Sequence, residues 1–349
     1  MIKMYEETME WIEQFKEETA IENIKKEKTT LPWVEKFRPK TLDEVISHTS
    51  IISTLKKFIE KKQFPHLILR GPPGTGKTSA IMACAKELYG KNYSVMVLDI
   101  NASEERGIDV VRNKISDFVS TKGIFLSKNS SIFKLVILDE VDAMTIDAQS
   151  MLISVIEKFT INVRFCLICN YIKKISPAIQ SRCTIFKFSP LSKYDITKKL
   201  KNIAKIINLN LTDDGIDTLI KLSKGDMRKV LNILQATHMI YNKINSKNIT
   251  NCIGYPTPED MNIIIHSLTT KKYNKCYDEL YKIIIKNGYS LLDIITELTD
   301  SLMHNFMHKK ISQDKIIIIL SNLRDIEMNL TLCPNEYIQL AGLVGLFNL

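Results

Sequence analysis

Across 349 residues the sequence carries 45% hydrophobic and 25% charged side chains and a formal charge of +9 at pH 7. That is the profile of a soluble globular protein of two or three domains. It excludes a membrane span, which needs roughly 18 apolar residues, because the run Ile316–Leu320 stops at five.

Residues 1–28 hold eight Glu and five Lys, so the remainder carries +12. A basic body suits a polyanionic partner, and it equally suits a lysine-rich solvated surface. The segment itself reads as a charged helix with a partial apolar stripe at Met9, Trp11, Ile12 and Phe15. Acids sit in its early turns and Lys25, Lys26 and Lys28 follow, as the helix dipole favours. It has no signal-peptide core. Next comes Leu31–Pro39, where two prolines bracket an aromatic and mixed charges; this predicts an ordered surface arm rather than a helix. Residues 42–62 read as one helix, with Ile51, Ile52, Leu55, Phe58 and Ile59 in phase.

From 64 to 190 the pattern alternates. Strands are expected at His66–Leu69, Ser94–Ile100, Lys134–Leu138, Arg164–Cys169 and Thr184–Phe188, with helices between them, including Asp147–Phe159. Fully apolar strands separated by helices predict an α/β domain over 31–190, built on a mostly parallel five-stranded sheet covered on both faces. Ligands of such sheets lie at the carboxyl ends of the strands. After Pro190 strand patterns stop. Residues 191–254 predict a small helical domain, Gly254-Tyr-Pro-Thr-Pro258 a linker, and 255–349 an all-helical domain.

The chemistry is concentrated in a few motifs. Gly71-Pro72-Pro73-Gly74-Thr75-Gly76-Lys77-Thr78 is a complete P-loop between a strand and a helix. Glycines let backbone N–H groups point at phosphate, Lys77 reaches the β/γ-phosphates of ATP, and the Thr78 hydroxyl is placed for Mg²⁺. Leu135–Asp142 is an apolar strand ending in acids: Asp139 suits Mg²⁺ and Glu140 the activation of an attacking water. Asn170 closes the next strand, where a polar side chain can position that water or sense the γ-phosphate. Arg182, in Ser181-Arg182-Cys183, is a candidate arginine finger acting in trans on a neighbouring subunit. Asp226 reads as the N-cap of a helix whose Arg228 can swing onto bound nucleotide.

Seven cysteines, an odd number without framework spacing, indicate free thiols. Cys166 and Cys169 stand three apart in a strand, so their sulfurs point to opposite faces and read as buried thiols rather than a metal pair. His304 and His308 lie one helical turn apart without an evident third ligand.

Taken together and in this order, the motifs resemble an AAA+ ATPase, and more narrowly the small subunits of replication factor C, the eukaryotic sliding-clamp loader. The resemblance rests on Trp33-Val-Glu-Lys-Phe-Arg-Pro39, the P-loop continued to Ser79, Asn101-Ala-Ser-Glu-Glu-Arg-Gly-Ile-Asp109, Asp139-Glu-Val-Asp142, Ser181-Arg-Cys183 and Gly225-Asp-Met-Arg228. It is close over 31–240, weaker beyond, and leaves out residues 1–30. The phrases Ile156–Thr160 and Arg164–Tyr171 narrow it towards one particular small subunit. Departures are Phe37 for the usual Tyr, Val141 for the common Ala, and Ile185 where relatives often carry Arg.

The resemblance implies an AAA+ domain at 31–190, a helical lid at 191–254 and a helical collar at 255–349. It implies a hetero-pentamer with other replication factor C subunits, a ring-shaped sliding clamp (PCNA) and primer–template DNA bound without sequence preference. Val34 and Arg38 would contact the adenosine and phosphates, Asn170 would be sensor 1, and Arg228 sensor 2. Arg106, Arg112 and Lys174 occupy the family's positions for the DNA backbone. A nuclear location follows from the resemblance; the chain's own import-like run is only Lys25-Lys26-Glu27-Lys28. Two other readings use the same motifs: a helicase, which would need a second sheet domain, and a scaffold subunit that binds nucleotide with little hydrolysis.

Overall fold

Apolar runs too short for helices and rich in β-branched residues form the centre of the first of two compact units. A computed structural model describes residues 31–104, 107, 109–120, 133–307, 313–332 and 335–347, by backbone alone at 110–112, 304–307 and 313–316. Segment 1–28 and the side chains of His304 and His308 therefore lie outside the described residues. The chain divides into two compact units, residues up to 209 with 219–235, and 210–218 with 236–349.

In the first unit, β1 (Leu67–Arg70), β2 (Val97–Asn101), β3 (Lys134–Asp139), β4 (Val163–Cys169) and β5 (Thr184–Lys187) form a sheet in the order β2-β3-β4-β1-β5. Every pairing is parallel. Alternate strand residues feed two cores, one on each face. Leu67, Leu69, Leu135, Ile137 and Cys166 pack on one side, and Ile68, Val136, Leu138, Phe165 and Cys169 on the other. The two cysteines are thus buried on opposite faces, and burial pushes the Cys169 thiol up to about 11.

Helices of this unit include α1 (Trp33–Lys36), α2 (Thr49–Glu60), α3 (Lys77–Tyr89), α4 (Ile146–Phe159), α5 (Pro177–Gln180) and α6 (Lys193–Ile207), of which α2 to α5 pack on the sheet. Three expectations change here. The arm contains one helical turn, because Pro32 stands at its N-cap, outside the helix, and Trp33 is buried. Residues 42–62 are not one helix: a 3₁₀ turn at Leu42–Glu44 is separated from α2 by Ser47 and His48, both at positive φ. Ser94 belongs to a helical turn, and β2 begins at Val97.

Beyond Pro190 come α7 (Asp213–Ser223), α8 (Met227–Ile240), α9 (Ser246–Ile253), α10 (Pro258–Thr270), α11 (Tyr273–Asn287), α12 (Leu291–Met307), α13 (Gln313–Leu332) and α14 (Glu336–Phe347). Strands do not stop altogether, for β6 (Asn210–Leu211) and β7 (Lys243–Ile244) form a two-residue parallel pair, too short to leave a periodic signature. In the second unit Ile264, Cys276, Leu280, Ile294, Leu298 and Leu343 share one core. Among the described residues no helix is long and apolar enough to cross a membrane.

Candidate active site

Gly71 and Gly74 show why the loop after β1 is built of glycine. A Cβ on Gly71, at φ +151°, would lie 2.1 Å from the Phe188 carbonyl oxygen, and one on Gly74, at φ +68°, 1.6 Å from Asp226 Oδ1. The loop can take this course only without side chains there. It ends at Gly76, and α3 starts with Lys77 and Thr78, so the free N–H groups and positive end of α3 face the loop's hollow.

Lys77 is 7% exposed, and its ammonium is surrounded by acceptors. Nζ donates to Gly71 O and Pro72 O, each at 2.8 Å, and to Asn170 Oδ1 at 3.1 Å. Burial lowers its pKa from the usual lysine value, Asp139 works against that shift, and the charge of Arg228 adds to it. Thr78 Oγ1 donates to Asp139 Oδ2 at 2.6 Å. This hydroxyl–carboxylate pair of hard oxygens is a donor set that fits Mg²⁺.

Glu140 adopts φ 54°, a left-handed conformation that costs a non-glycine residue about 1 kcal/mol or more. The turn is held by its own N–H, which donates to Asp139 Oδ1 at 2.8 Å, and by its carbonyl, which accepts from Ala143 N at 2.9 Å. In this conformation Glu140 borders the same cleft as Asp139 and Asn170.

Pro73, Gly74, Thr75, Gly76, Lys77, Thr78 and Ser79 form the floor of that cleft. Val34 and Arg38 of the arm, Val45 and Ile46 after it, and Arg228 and Leu231 of α8 also line it. Gly71 and Pro72 stand behind, contributing carbonyls to Lys77. Arg182 is not among the cleft residues. It pairs with Glu157 through Nε, at 3.0 Å, and through Nη2, and its Nη1 donates to Ala178 O at 2.8 Å. Lys174 is exposed on the 3₁₀ turn after β4, with its ammonium 5.6 Å from the centre of the Tyr171 ring. Arg106 and the side chain of Arg112 lie outside the described residues.

Two family descriptions match the chain: "ATPase family associated with various cellular activities (AAA)" at residues 67–191, and "Replication factor C C-terminal domain" at 256–345. Replication factor C subunit 5 of Homo sapiens is 46% identical over 308 residues, 88% of each chain. Replication factor C subunit 3 of Saccharomyces cerevisiae is 43% identical over 348 residues, 98% of this chain and 94% of that one. This chain belongs to the replication factor C family. The names subunit 5 and subunit 3 agree with the narrower resemblance carried by Ile156–Thr160 and Arg164–Tyr171. Among solved structures, the RuvB Holliday junction branch migration motor of Thermotoga maritima matches with a TM-score of 0.51 at 18% identity. That match covers 70% of this chain and 85% of the RuvB chain, and it speaks for the fold alone.

This replication factor C chain holds three further groups that local motifs did not reveal in full. Asp142 accepts from the N–H groups of Asn170, at 3.4 Å, and Tyr171, at 3.3 Å, tying the end of β4 to the turn after β3. Gln149, buried on α4, donates to Lys174 O at 3.1 Å and accepts from Ser176 N at 2.8 Å. Asp226 does cap α8, accepting from Arg228 N at 2.8 Å, but it also fills the space above Gly74. The Asp139-Glu-Val-Asp142 box marks Asp142 in the sequence without indicating what it binds. Gln149 reads from sequence as one more polar helix residue.

Proposed function

We propose that this chain is an ATP-hydrolysing subunit of a sliding-clamp loader, which helps open a ring clamp and place it on primer–template DNA. The observation that carries the hydrolytic reading is the joint hold on Lys77 and Thr78: Asn170 binds the ammonium and Asp139 the hydroxyl, with Glu140 on the same cleft. Phosphate oxygens entering this hollow would replace the loop carbonyls around Lys77, and the freed N–H groups at the start of α3 would add to the attraction. Mg²⁺ held at Thr78 and Asp139 would neutralise charge on the phosphates. Glu140 would take the proton of the attacking water, Asn170 would orient that water, and Arg228 would bring charge from α8. Val34 and Arg38 would contact the adenosine and phosphates of the ligand.

Arg182 suits a role on a neighbour's nucleotide. Its partner Glu157 is an exposed carboxylate, and an exposed ion pair is worth about 0–1 kcal/mol. The guanidinium can therefore leave Glu157 at little cost for a phosphate, where its planar fork binds two oxygens. Lys174, together with Arg106 and Arg112, would track DNA phosphates, giving salt-dependent binding without base readout. The proposed domains are an AAA+ part at 31–190, a lid at 191–254 and a collar at 255–349 that joins the other subunits. A nuclear location follows from this role.

The assembly is tested by recovering the tagged chain from native cells at low salt with a slowly hydrolysed ATP analogue. Four related AAA+ subunits and a ring clamp should co-purify. Recovery of the chain alone would reject the loader reading and leave an ATPase of this fold.

A further inference from the structure

The arm and helix α8 both line the cleft, and a hydrogen bond joins them. The N–H of Trp33 donates to Gln235 Oε1 at 2.9 Å, joining residues 202 apart in sequence. Trp33 is the first residue of α1, and Pro32 before it offers no side-chain cap. The first N–H groups of a helix have no partner within it, so Gln235 caps α1 from another helix. On α8, Arg228, Leu231 and Gln235 stand at i, i+3 and i+7, one stripe of the helix. The first two line the cleft, as do Val34 and Arg38 just beyond Trp33. The start of α8 is fastened as well, because Met227 N donates to Gly74 O at 3.2 Å.

Helix α8 is therefore held at two points, to the P-loop at its first residue and to the arm two turns later. We propose that Gln235 is a positioning residue that latches the arm to α8 and so sets how long nucleotide is retained; this rests on the nucleotide reading of the cleft. With the latch made, Val34, Arg38, Arg228 and Leu231 are arranged before a ligand arrives. With it broken, the bound complex more often lets the arm or α8 draw away, so nucleotide leaves faster and apparent affinity falls with it. The latch touches no phosphate and leaves Lys77, Asp139 and Glu140 unaltered. It governs retention, and the chemistry proceeds without it.

The test is release of a fluorescent ATP analogue from the full chain by stopped flow, with hydrogen exchange of the peptide spanning residues 31–38. Gln235→Leu, of similar size but without an acceptor, should release nucleotide about five- to tenfold faster, the ratio one net hydrogen bond supplies. Exchange at 31–38 should rise while the P-loop peptide stays unchanged. Gln235→Glu keeps an acceptor and should restore slow release to within about twofold of the parent chain. Wild-type release from Gln235→Leu, or fast release from both variants alike, overturns the latch. Lys77→Ala separates the two readings. If it abolishes binding while Gln235→Leu behaves as the parent chain, the latch fails and the cleft stands. If Lys77→Ala binds as tightly as the parent chain, the cleft reading itself fails.

Discussion

At the carboxyl ends of β1, β3 and β4 the interior is polar: a buried ammonium, a hydroxyl–carboxylate pair and an amide meet within hydrogen-bond distance. In the unit formed largely by 236–349 the core is mainly Leu and Ile, joined by Met261, Cys276, Tyr289 and Val344, and polar groups tie helix ends together. Thr257 caps α10 by accepting from Asp260 N at 3.2 Å, and Tyr289 donates to the Asp260 carboxylate at 2.5 Å. The contrast shows what each region is sensitive to. A polar cluster fails when one partner loses its charge or lone pair, because the others are left buried and unpaired. An apolar core fails when volume is removed, because the surrounding helices collapse only in part.

The contrast is broken most sharply in the cleft. Glu140→Gln removes a carboxylate from an exposed turn and should lower turnover at this site about 10²–10⁴-fold with little change in thermal midpoint. Single-turnover hydrolysis in a complex whose other sites are silenced measures it; turnover within threefold of the parent (about 0.7 kcal/mol) would remove Glu140 from the role of base. The opposite pattern is expected from Leu298→Ala. Leu298 is 2% exposed at the centre of the second core, and truncation should cost about 2–5 kcal/mol of stability. Urea unfolding checks the loss, while nucleotide affinity of the folded fraction should hold. A variant that kept its stability but lost nucleotide would mean the two regions are not separable in this way.

Gln149→Leu is an intermediate case, a polar residue inside the otherwise apolar interface of α4. Without its amide the Lys174 carbonyl and the Ser176 N–H lose their partners, for a cost of about 1–3 kcal/mol. The turn bearing Lys174 should exchange its amides faster, and clamp-independent affinity for short duplex DNA should drop more than intrinsic ATP affinity does. Equal loss of both would make Gln149 a purely structural residue.

How legible the molecule was depends on how far apart the interacting residues lie in sequence. Strands β1 to β5 and the residues of the P-loop and the acidic strand end could be read locally, because periodicity and spacing act over a few residues. The one-turn helix at Trp33–Lys36 could not, since the bond from Trp33 to Gln235 reaches across 202 positions. The break before α2 was hidden for another reason. The apolar phase at Ile51–Ile59 extends backwards plausibly, and nothing in Ser47 or His48 announces a positive φ. Asp226 was legible as a cap but not as the group that excludes any side chain from Gly74, which only the fold brings above it.

A half-buried polar group remote from the cleft gives the smallest effect and the finest test of the comparison. His66 lies just before β1, its Nδ1 accepting from the Phe165 N–H at 3.2 Å. An N–H donor fixes the role of the ring: Nδ1 must be unprotonated, so the neutral imidazole is the form the fold requires. Burial, with the nearby Arg164 charge adding to it, lowers the His66 pKa from 6.5 to about 4. The unfolded chain therefore takes up a proton near pH 6.5 that the folded chain refuses until about pH 4. Stability from this group is fully present above pH 6.5 and is lost progressively as pH falls through that window. His66→Asn, which can keep an acceptor but does not titrate, should flatten this part of the acid limb of a thermal-midpoint profile and leave turnover near neutral pH unchanged. An acid limb of identical slope in both chains would show that His66 does not report the folded state in this range. A change in turnover would mean that the sheet transmits this end's charge to the cleft, and the division between a polar site and an apolar support would have to be redrawn along β1.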